Sequence, residues 1–364
     1  MKKIRVDLGK IQYDIVIGTD LLNQIDTFIK GFDFEPKCGI ITDTNVNALY
    51  GTTLKKILES SGFECIIFQV PAGESTKSLE TATGLIDQLM ENKFNRHTPV
   101  IALGGGLIND LAGFVSAVYM RGLPLIQVPT TLMAQVDSSI GGKVGVNYNN
   151  NKNMLGTFYQ PKLIISDLNV LKSLPKQELS SGFAEVVKYG MILDKSFFEY
   201  LETNHKLLTD QDEGFLEYIV STSSEFKARV IERDVRDETG IRAVLNYGHT
   251  IGHALESVSD YKGYLHGEAV AVGMAYAAKI SSRLELMEQA DVQRQNQLLH
   301  SNGLNLNIGD IDPAGLIKAM DFDKKQREAG VVRFILTEGI GKAKLMDGIS
   351  LELIHEVLGG TIEL

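Results

Sequence analysis

VIALGGGLINDLAGFVSA, residues 100–117, runs from an apolar strand into three glycines and then into a helical stretch. Glycine carries no Cβ, so the backbone there can come close to a phosphate. The helix that follows offers free N–H groups and a partial positive charge at its start. The setting suits a pyrophosphate, although a plain tight turn fits the same residues. The spacing is G-G-G-x-x-x-D rather than G-x-G-x-x-G, so the dinucleotide fingerprint itself is not met. Asp110 falls in the first helical turn, and Asp43 closes the earlier strand IITD. Either carboxylate can accept a ribose hydroxyl or cap a helix.

Outward from that stretch the chain alternates apolar runs with helical ones: CGIITD, ALYGTTLKKILESSG, CIIFQV, ETATGLIDQLMENK, PVIALGGG. This rhythm predicts βαβ units on a mainly parallel sheet covered by helices. MKKIRVDLGK reads as an alternating strand with no apolar core or cleavage site of a leader behind it, which points to a cytoplasmic protein. After LIQVPTT and KLIISD the pattern changes. From about Ser173 the chain reads as long amphipathic helices, including FAEVVKYGMILD, FLEYIVSTSSEFKARVIERD and GEAVAVGMAYAAKISSRLELM. The expected architecture is an N-terminal nucleotide-binding α/β domain over 1–172 followed by an all-helical domain over 173–364.

A chain of 364 residues exceeds the roughly 250–300 at which single cores stop growing, which also argues for two domains. Its 44% hydrophobic and 23% charged content is that of a globular protein without a membrane span. A net charge of −10 argues against non-specific nucleic-acid binding. An anionic ligand must then meet a local cluster of Lys, Arg and His. Cys38 and Cys65 lie in apolar surroundings and read as buried free thiols.

Three stretches look chemical. QVPTTLMAQVDSSIGGKVGVNYNNNKNMLGTF is too polar and glycine-rich for a core element and reads as a long functional loop, with a turn at NNNKN (149–153). Asp137, Lys143, Lys152 and Asn153 in it suit a polyhydroxylated anion. In GFAEVVKYG, Glu185 and Lys188 stand three apart on one helix face, where they could equally be a surface ion pair. In NYGHTIGHALE, residues 246–256, His249 and His253 stand four apart, and LHGE adds His266. Both helix imidazoles can face one cavity. Thr250 stands where the H-E-x-x-H zinc motif needs its glutamate, so that reading fails. Arg242 lies seven residues before His249, two turns and one face if a helix runs through both.

Together with YMRG, QPKLIISD, LPKQE, LHGEAVAVGM and DKKQREAGVVRFIL, these blocks resemble the 3-dehydroquinate synthase family of sugar phosphate cyclases from about Asp43 to Ala343. The resemblance implies a metal, zinc or cobalt, on Glu185, His249 and His266, with His253 turned to the substrate phosphate instead. It implies NAD+ on Asp43, Glu74, Lys77, Gly105, Gly106, Asp110, Thr130 and Thr131. It implies a substrate surrounded by Asp137, Lys143, Lys152, Asn153, Lys188, Lys227, Arg242 and Asn246, with one or both of Lys324 and Lys325. Arg121 would reach the phosphate from the neighbouring subunit of a homodimer. The implied reaction takes 3-deoxy-D-arabino-heptulosonate 7-phosphate to 3-dehydroquinate and phosphate, in the shikimate pathway of aromatic amino acid biosynthesis. It runs through oxidation by NAD+, phosphate elimination, reduction, ring opening and an intramolecular aldol.

Asn109, Val144 and Asn151 stand where that pattern has glycine, threonine and glycine, and the segment between Lys227 and Arg242 is one residue longer. Two rivals share much of this: another cyclase, such as a 2-deoxy-scyllo-inosose or valiolone-type synthase, and a metal-dependent polyol dehydrogenase that would release NADH. The Lys227 and Arg242 cations suit a carboxylate, which the rival cyclases' substrates lack.

Overall fold

The computed structural model describes residues 1–149, 151–259, 263–322 and 331–364. These form two compact units, Met1–Leu174 with Leu216–Arg236, and Pro175–Phe215 with Asp237–Leu364.

The first unit is built on β1 (Lys2–Asp7), β2 (Gln12–Gly18), β3 (Lys37–Asp43), β4 (Glu64–Val70), β5 (Val100–Gly104), β6 (Leu125–Pro129) and, later in the chain, β9 (Leu163–Asp167). These seven strands form one sheet in the order β1-β2-β9-β6-β5-β3-β4. Only the β1–β2 pair is antiparallel. Helices α1 (Thr52–Ser60), α2 (Leu79–Glu91) and α3 (Gly106–Val118) connect the strands. Every residue of β5, β6 and β9 is buried. Alternate residues of β5 belong to different apolar clusters, Ile101 and Leu103 to one, Val100 and Ala102 to the other. Burial on both faces is why these strands read as unbroken apolar runs. Cys38 and Cys65 are register partners on β3 and β4, both buried and free.

From β3 the chain goes to β4 on one side and returns to β5 on the other. The carboxyl ends of β3 and β5 therefore flank a point where the winding reverses, the usual ligand crevice of such sheets. A Cβ on Gly104 would lie 2.6 Å from Ile108, one on Gly105 3.1 Å from Thr131, and one on Gly106 2.8 Å from the Ser138 hydroxyl. Close packing against Ile108 thus favours glycine at 104 whatever binds there, while a side chain at 105 or 106 would displace Thr131 or the Ser138 hydroxyl.

The stretch expected as a long loop is largely ordered structure. It holds a single wide helical turn at Ala134–Ser138 and an antiparallel hairpin of β7 (Lys143–Tyr148) and β8 (Asn151–Phe158). A Cβ on Gly145 would meet the Leu155 carbonyl at 2.8 Å, and one on Gly156 the Val144 carbonyl at 2.6 Å. The glycines that made the segment look like a loop are there to bring two strands close together.

Beyond β9 the chain is mainly helical, with α4 (Lys176–Leu193), α5 (Lys195–Asn204), α6 (Glu213–Arg233), α7 (His249–Val258), α8 (His266–Arg283), α9 (Gln289–Ser301), α10 (Pro313–Phe322) and α11 (Leu351–Leu358). It is not wholly helical: β10 (Val331–Thr337) and β11 (Ala343–Ser350) form a two-stranded antiparallel sheet, as the branched run VVRFIL favours. Most of α6 lies in the first unit, where the Ser224 hydroxyl donates to the Gln135 carbonyl at 3.3 Å.

Three helices of the second unit meet nearly backbone to backbone. A Cβ on Gly267 of α8 would stand 1.9 Å from the Ser181 carbonyl of α4. One on Gly273 of α8 would stand 1.8 Å from the Gly248 carbonyl, just ahead of α7. Such spacing excludes any side chain at these crossings. No helix among the described residues is long and apolar enough to cross a membrane.

Candidate active site

Glu185, His249 and His266 come one each from the closely packed α4, α7 and α8. Their potential ligand atoms lie within 4.8 Å of one another. The Nε2 atoms of His249 and His266 stand 3.7 and 4.0 Å from Oε1 of Glu185. Glu185 is fully buried, and neither of its oxygens accepts a hydrogen bond. The Lys188 ammonium, also buried, lies against Oε2 as an ion pair. This is no surface pair, so the solvated alternative open at the sequence level is excluded. The Lys188 cation offsets part of the cost of burying this carboxylate, while Oε1, which the two imidazoles face, has no hydrogen-bond partner.

The two imidazoles differ in setting. Burial, joined by the nearby Lys188 ammonium, holds His249 well below the usual histidine range, so its ring is neutral at physiological pH. Its Nδ1 stands 3.1 Å from the Tyr247 carbonyl, which can only accept. The proton therefore sits on Nδ1, leaving the Nε2 lone pair directed at Glu185. One carboxylate and two imidazoles are the donor set of a catalytic zinc site that keeps positions open. The donors present fit such a metal. His253, exposed on α7, stacks edge-on at 5.3 Å from the His249 ring.

Arg242 is buried and Asn246 exposed on a short 3₁₀ turn, Ile241–Asn246. The expected continuous helix from Arg242 to His249 does not exist. Tyr247 is extended and Gly248 adopts φ +81°, and α7 begins only at His249. A side chain at position 248 would also meet the Val270 carbonyl, so only glycine fits and the helix must restart there. Glu256, on α7 and buried, was not singled out from the sequence; it stands three residues after His253 and is the one acid of that helix.

In the first unit, Asp43 ends β3, and Gly105 with Gly106 and Thr130 with Thr131 follow the carboxyl ends of β5 and β6, three neighbouring strands. Asp43 caps the short turn after β3, accepting from the amides of Asn45 and Val46 at 2.8 and 3.0 Å. Lys77 is buried and bridges Asp110, at 2.5 Å, and the Asn153 side chain. Burial raises the Asp110 carboxyl above its usual range, and the Lys77 ammonium offsets only part of that. Asn147, another residue missed at first, ties this group together: it donates to Glu74 at 2.9 Å and accepts from the Asn153 amide at 3.0 Å. Asn153 is itself left-handed, at φ +54°. Lys227 on α6 meets both Oδ1 and the carbonyl of Asp137. Lys143 is exposed at the start of β7, and Lys152 is half-buried on β8. Arg121 is exposed on a turn where it and Met120 both take left-handed backbone, at φ +65° and +49°. Lys324 and Lys325 lie outside the described residues.

Of the three positions that depart from the pattern, Val144 is buried and fills the space a Gly113 side chain would take. The buried Asn109 side-chain amide has no hydrogen-bond partner, and nothing in the structure explains it. Asn151 is exposed at the start of β8, its amide donating to the Asn149 carbonyl at 2.8 Å.

Residues 67–181 match the 3-dehydroquinate synthase N-terminal family and residues 182–326 the C-terminal one. The chain is 44% identical over 359 residues to the 3-dehydroquinate synthase of Thermodesulfovibrio yellowstonii, covering 98% of this chain and 99% of that one. Among solved structures it is similar to a 2-deoxy-scyllo-inosose synthase complexed with carbaglucose-6-phosphate, NAD+ and Co2+. There the TM-score is 0.90 at 29% identity, over 98% of this chain and 99% of the other. A 2-epi-5-epi-valiolone synthase from Streptomyces hygroscopicus with NAD+ and Zn2+ bound gives 0.88 at 26% identity, over 96% of each. With 44% identity to a 3-dehydroquinate synthase over nearly the whole chain and residues 67–326 matched by the two synthase domains, the chain belongs to the 3-dehydroquinate synthase family.

Proposed function

We propose that this chain converts 3-deoxy-D-arabino-heptulosonate 7-phosphate to 3-dehydroquinate and phosphate, with NAD+ regenerated in each turnover. The observation that carries the reading is the buried Glu185 carboxylate, paired with Lys188 through Oε2 and faced at Oε1, which has no hydrogen-bond partner, by two imidazole Nε2 atoms.

Glu185, His249 and His266 would hold a zinc or cobalt ion, which when bound polarises the substrate hydroxyl to be oxidised and lowers its pKa. NAD+, when bound, would supply a reversible hydride acceptor. Gly105 and Gly106 admit its phosphates to the start of α3, while Asp43, Glu74, Lys77, Asp110, Thr130 and Thr131 fix the rest. Lys152, Asn153, Lys188 and His253 would bind the phosphate, as the family pattern implies. They orient the leaving group so that its own oxygen can take the proton next to the new ketone. Asp137, Lys143, Lys227 and Asn246 orient the ring hydroxyls, and Arg242 pairs with the carboxylate through two parallel hydrogen bonds. Lys324 and Lys325 complete the set by family pattern. Holding the intermediate in one orientation through elimination, reduction and aldol closure is the chain's main contribution, since positioning is worth several kcal/mol.

Arg121, exposed on its turn, would reach the phosphate of a neighbouring copy in a cytoplasmic homodimer, as the family pattern implies. Incubating the protein with heptulosonate phosphate and NAD+ while following phosphate release and absorbance at 340 nm tests the reading. Phosphate release without lasting NADH is expected, and net NADH accumulation would favour the polyol dehydrogenase.

A further inference from the structure

We infer that Glu256 is a positioning residue for the metal site, orienting His266 and setting which of its nitrogens carries the proton. Glu256 is buried, 3% exposed, and its Oε1 stands 3.5 Å from Nδ1 of His266. The other ring nitrogen of His266, Nε2, is the one that faces Glu185. An ionised carboxylate only accepts, so a neutral His266 ring facing it must carry its proton on Nδ1. The lone pair is then on Nε2, where a metal shared with Glu185 needs it.

His249 reaches the same state by different means, since its Nδ1 faces the Tyr247 carbonyl. Each imidazole thus has an acceptor behind it and a lone pair in front. The two acceptors are not equivalent. A carboxylate raises the basicity of the ring more than a neutral carbonyl does, and it turns with its own side chain rather than with the backbone. His266 needs this more, because its side chain is 37% exposed against 12% for His249, so less packing holds the ring. Glu256 sits on α7 and His266 opens α8, which makes the contact a second tie between the helices that carry the two imidazoles.

The inference rests on the metal reading above, and the experiment separates the two. Zinc dissociation constants are measured by chelator competition for wild type, Glu256→Gln and Glu185→Gln. Each metal-free protein is also melted, and each is loaded with cobalt for its visible spectrum. The isosteric Glu256→Gln is expected to weaken zinc binding roughly 10–100-fold, the usual effect of losing such a partner. Its metal-free melting temperature should be unchanged and its cobalt bands displaced. Zinc affinity and cobalt bands equal to wild type in Glu256→Gln, with zinc lost in Glu185→Gln, would overturn the role of Glu256 alone. Wild-type affinity in Glu185→Gln would overturn the metal reading itself. Two zinc ions per wild-type chain, one of them missing in Glu256→Gln, would make His253, Glu256 and His266 a ligand group of their own, which also overturns the positioning role.

Discussion

The Lys227 ammonium lies 2.7 Å from Oδ1 of Asp137 and 2.8 Å from the same residue's carbonyl, 90 positions earlier in the chain. Lys227 is the carried-over residue whose segment departs in length from the family pattern, yet it meets another residue expected at the substrate. Lys227→Met should therefore cost both folding and turnover. Unfolding in urea should show a loss of about 1–3 kcal/mol, the range for an acceptor left without its partner, and phosphate release should fall at least tenfold. A variant with full stability and full activity would remove Lys227 from the site.

The metal assignment predicts unequal histidines. Chelation should abolish activity, and zinc or cobalt should restore it. His249→Ala should purify without metal, whereas His253→Ala should keep its metal and lose turnover. Elemental analysis of the two proteins decides, and equal loss of metal would remove the distinction between them.

Catalytic use of NAD+ predicts many phosphates released per NAD+ at sub-stoichiometric cofactor. If NADH instead forms one-for-one with product, the transient redox cycle is wrong and the dehydrogenase chemistry stands.

Substrate identity turns on Arg242. Lysine keeps the charge but loses the planar fork, so Arg242→Lys should impair cyclisation of the heptulosonate phosphate by about 2 kcal/mol or more in kcat/KM, the range for a charge-assisted hydrogen bond. Glucose 6-phosphate and sedoheptulose 7-phosphate, which lack the carboxylate, should not react. Turnover of either with the heptulosonate phosphate untouched would point to one of the rival cyclases.

His249 gives the metal-free protein a pH signature. In the unfolded chain its imidazole titrates near about 6.5, while in the fold burial holds it well below that. Below pH 6.5 the unfolded state binds the extra proton, so stability falls as pH drops and is flat in this respect above it. The slope from one such group reaches at most about 1.4 kcal/mol per pH unit. Urea unfolding of chelated protein at pH 7.5 and 5.5 should show a larger drop for wild type than for His249→Asn. Equal drops would mean the ring is protonated in the fold.

The doubly covered sheet was legible because burial on both faces leaves an unbroken apolar run such as VIALG in β5. The β7–β8 hairpin was not, since Gly145 and Gly156 replace the alternating apolar residues that announce a strand. The restart of the helix at Gly248 was hidden because a glycine there reads equally as a tolerated interior residue. The metal donors themselves came from family pattern: spacing paired His249 with His253 and gave no reason to prefer His266. Glu256 and Asn147 carry no periodic signal, and their roles follow only from what faces them in space.

The first compact unit is not finished where its sheet ends. Its last strand closes at Asp167, but the segment Leu216–Arg236, which supplies Ser224 and Lys227 to the Ala134–Ser138 turn, is made much later. On a ribosome adding about 5–20 residues per second, the sheet would wait on the order of 3–12 seconds for that helix to emerge. During that time the Asp137 turn lacks its cover, and the nascent chain cannot complete one half before beginning the other. A gene cut at residue 174 would yield a sheet without this piece, so neither half would carry the whole of the first unit.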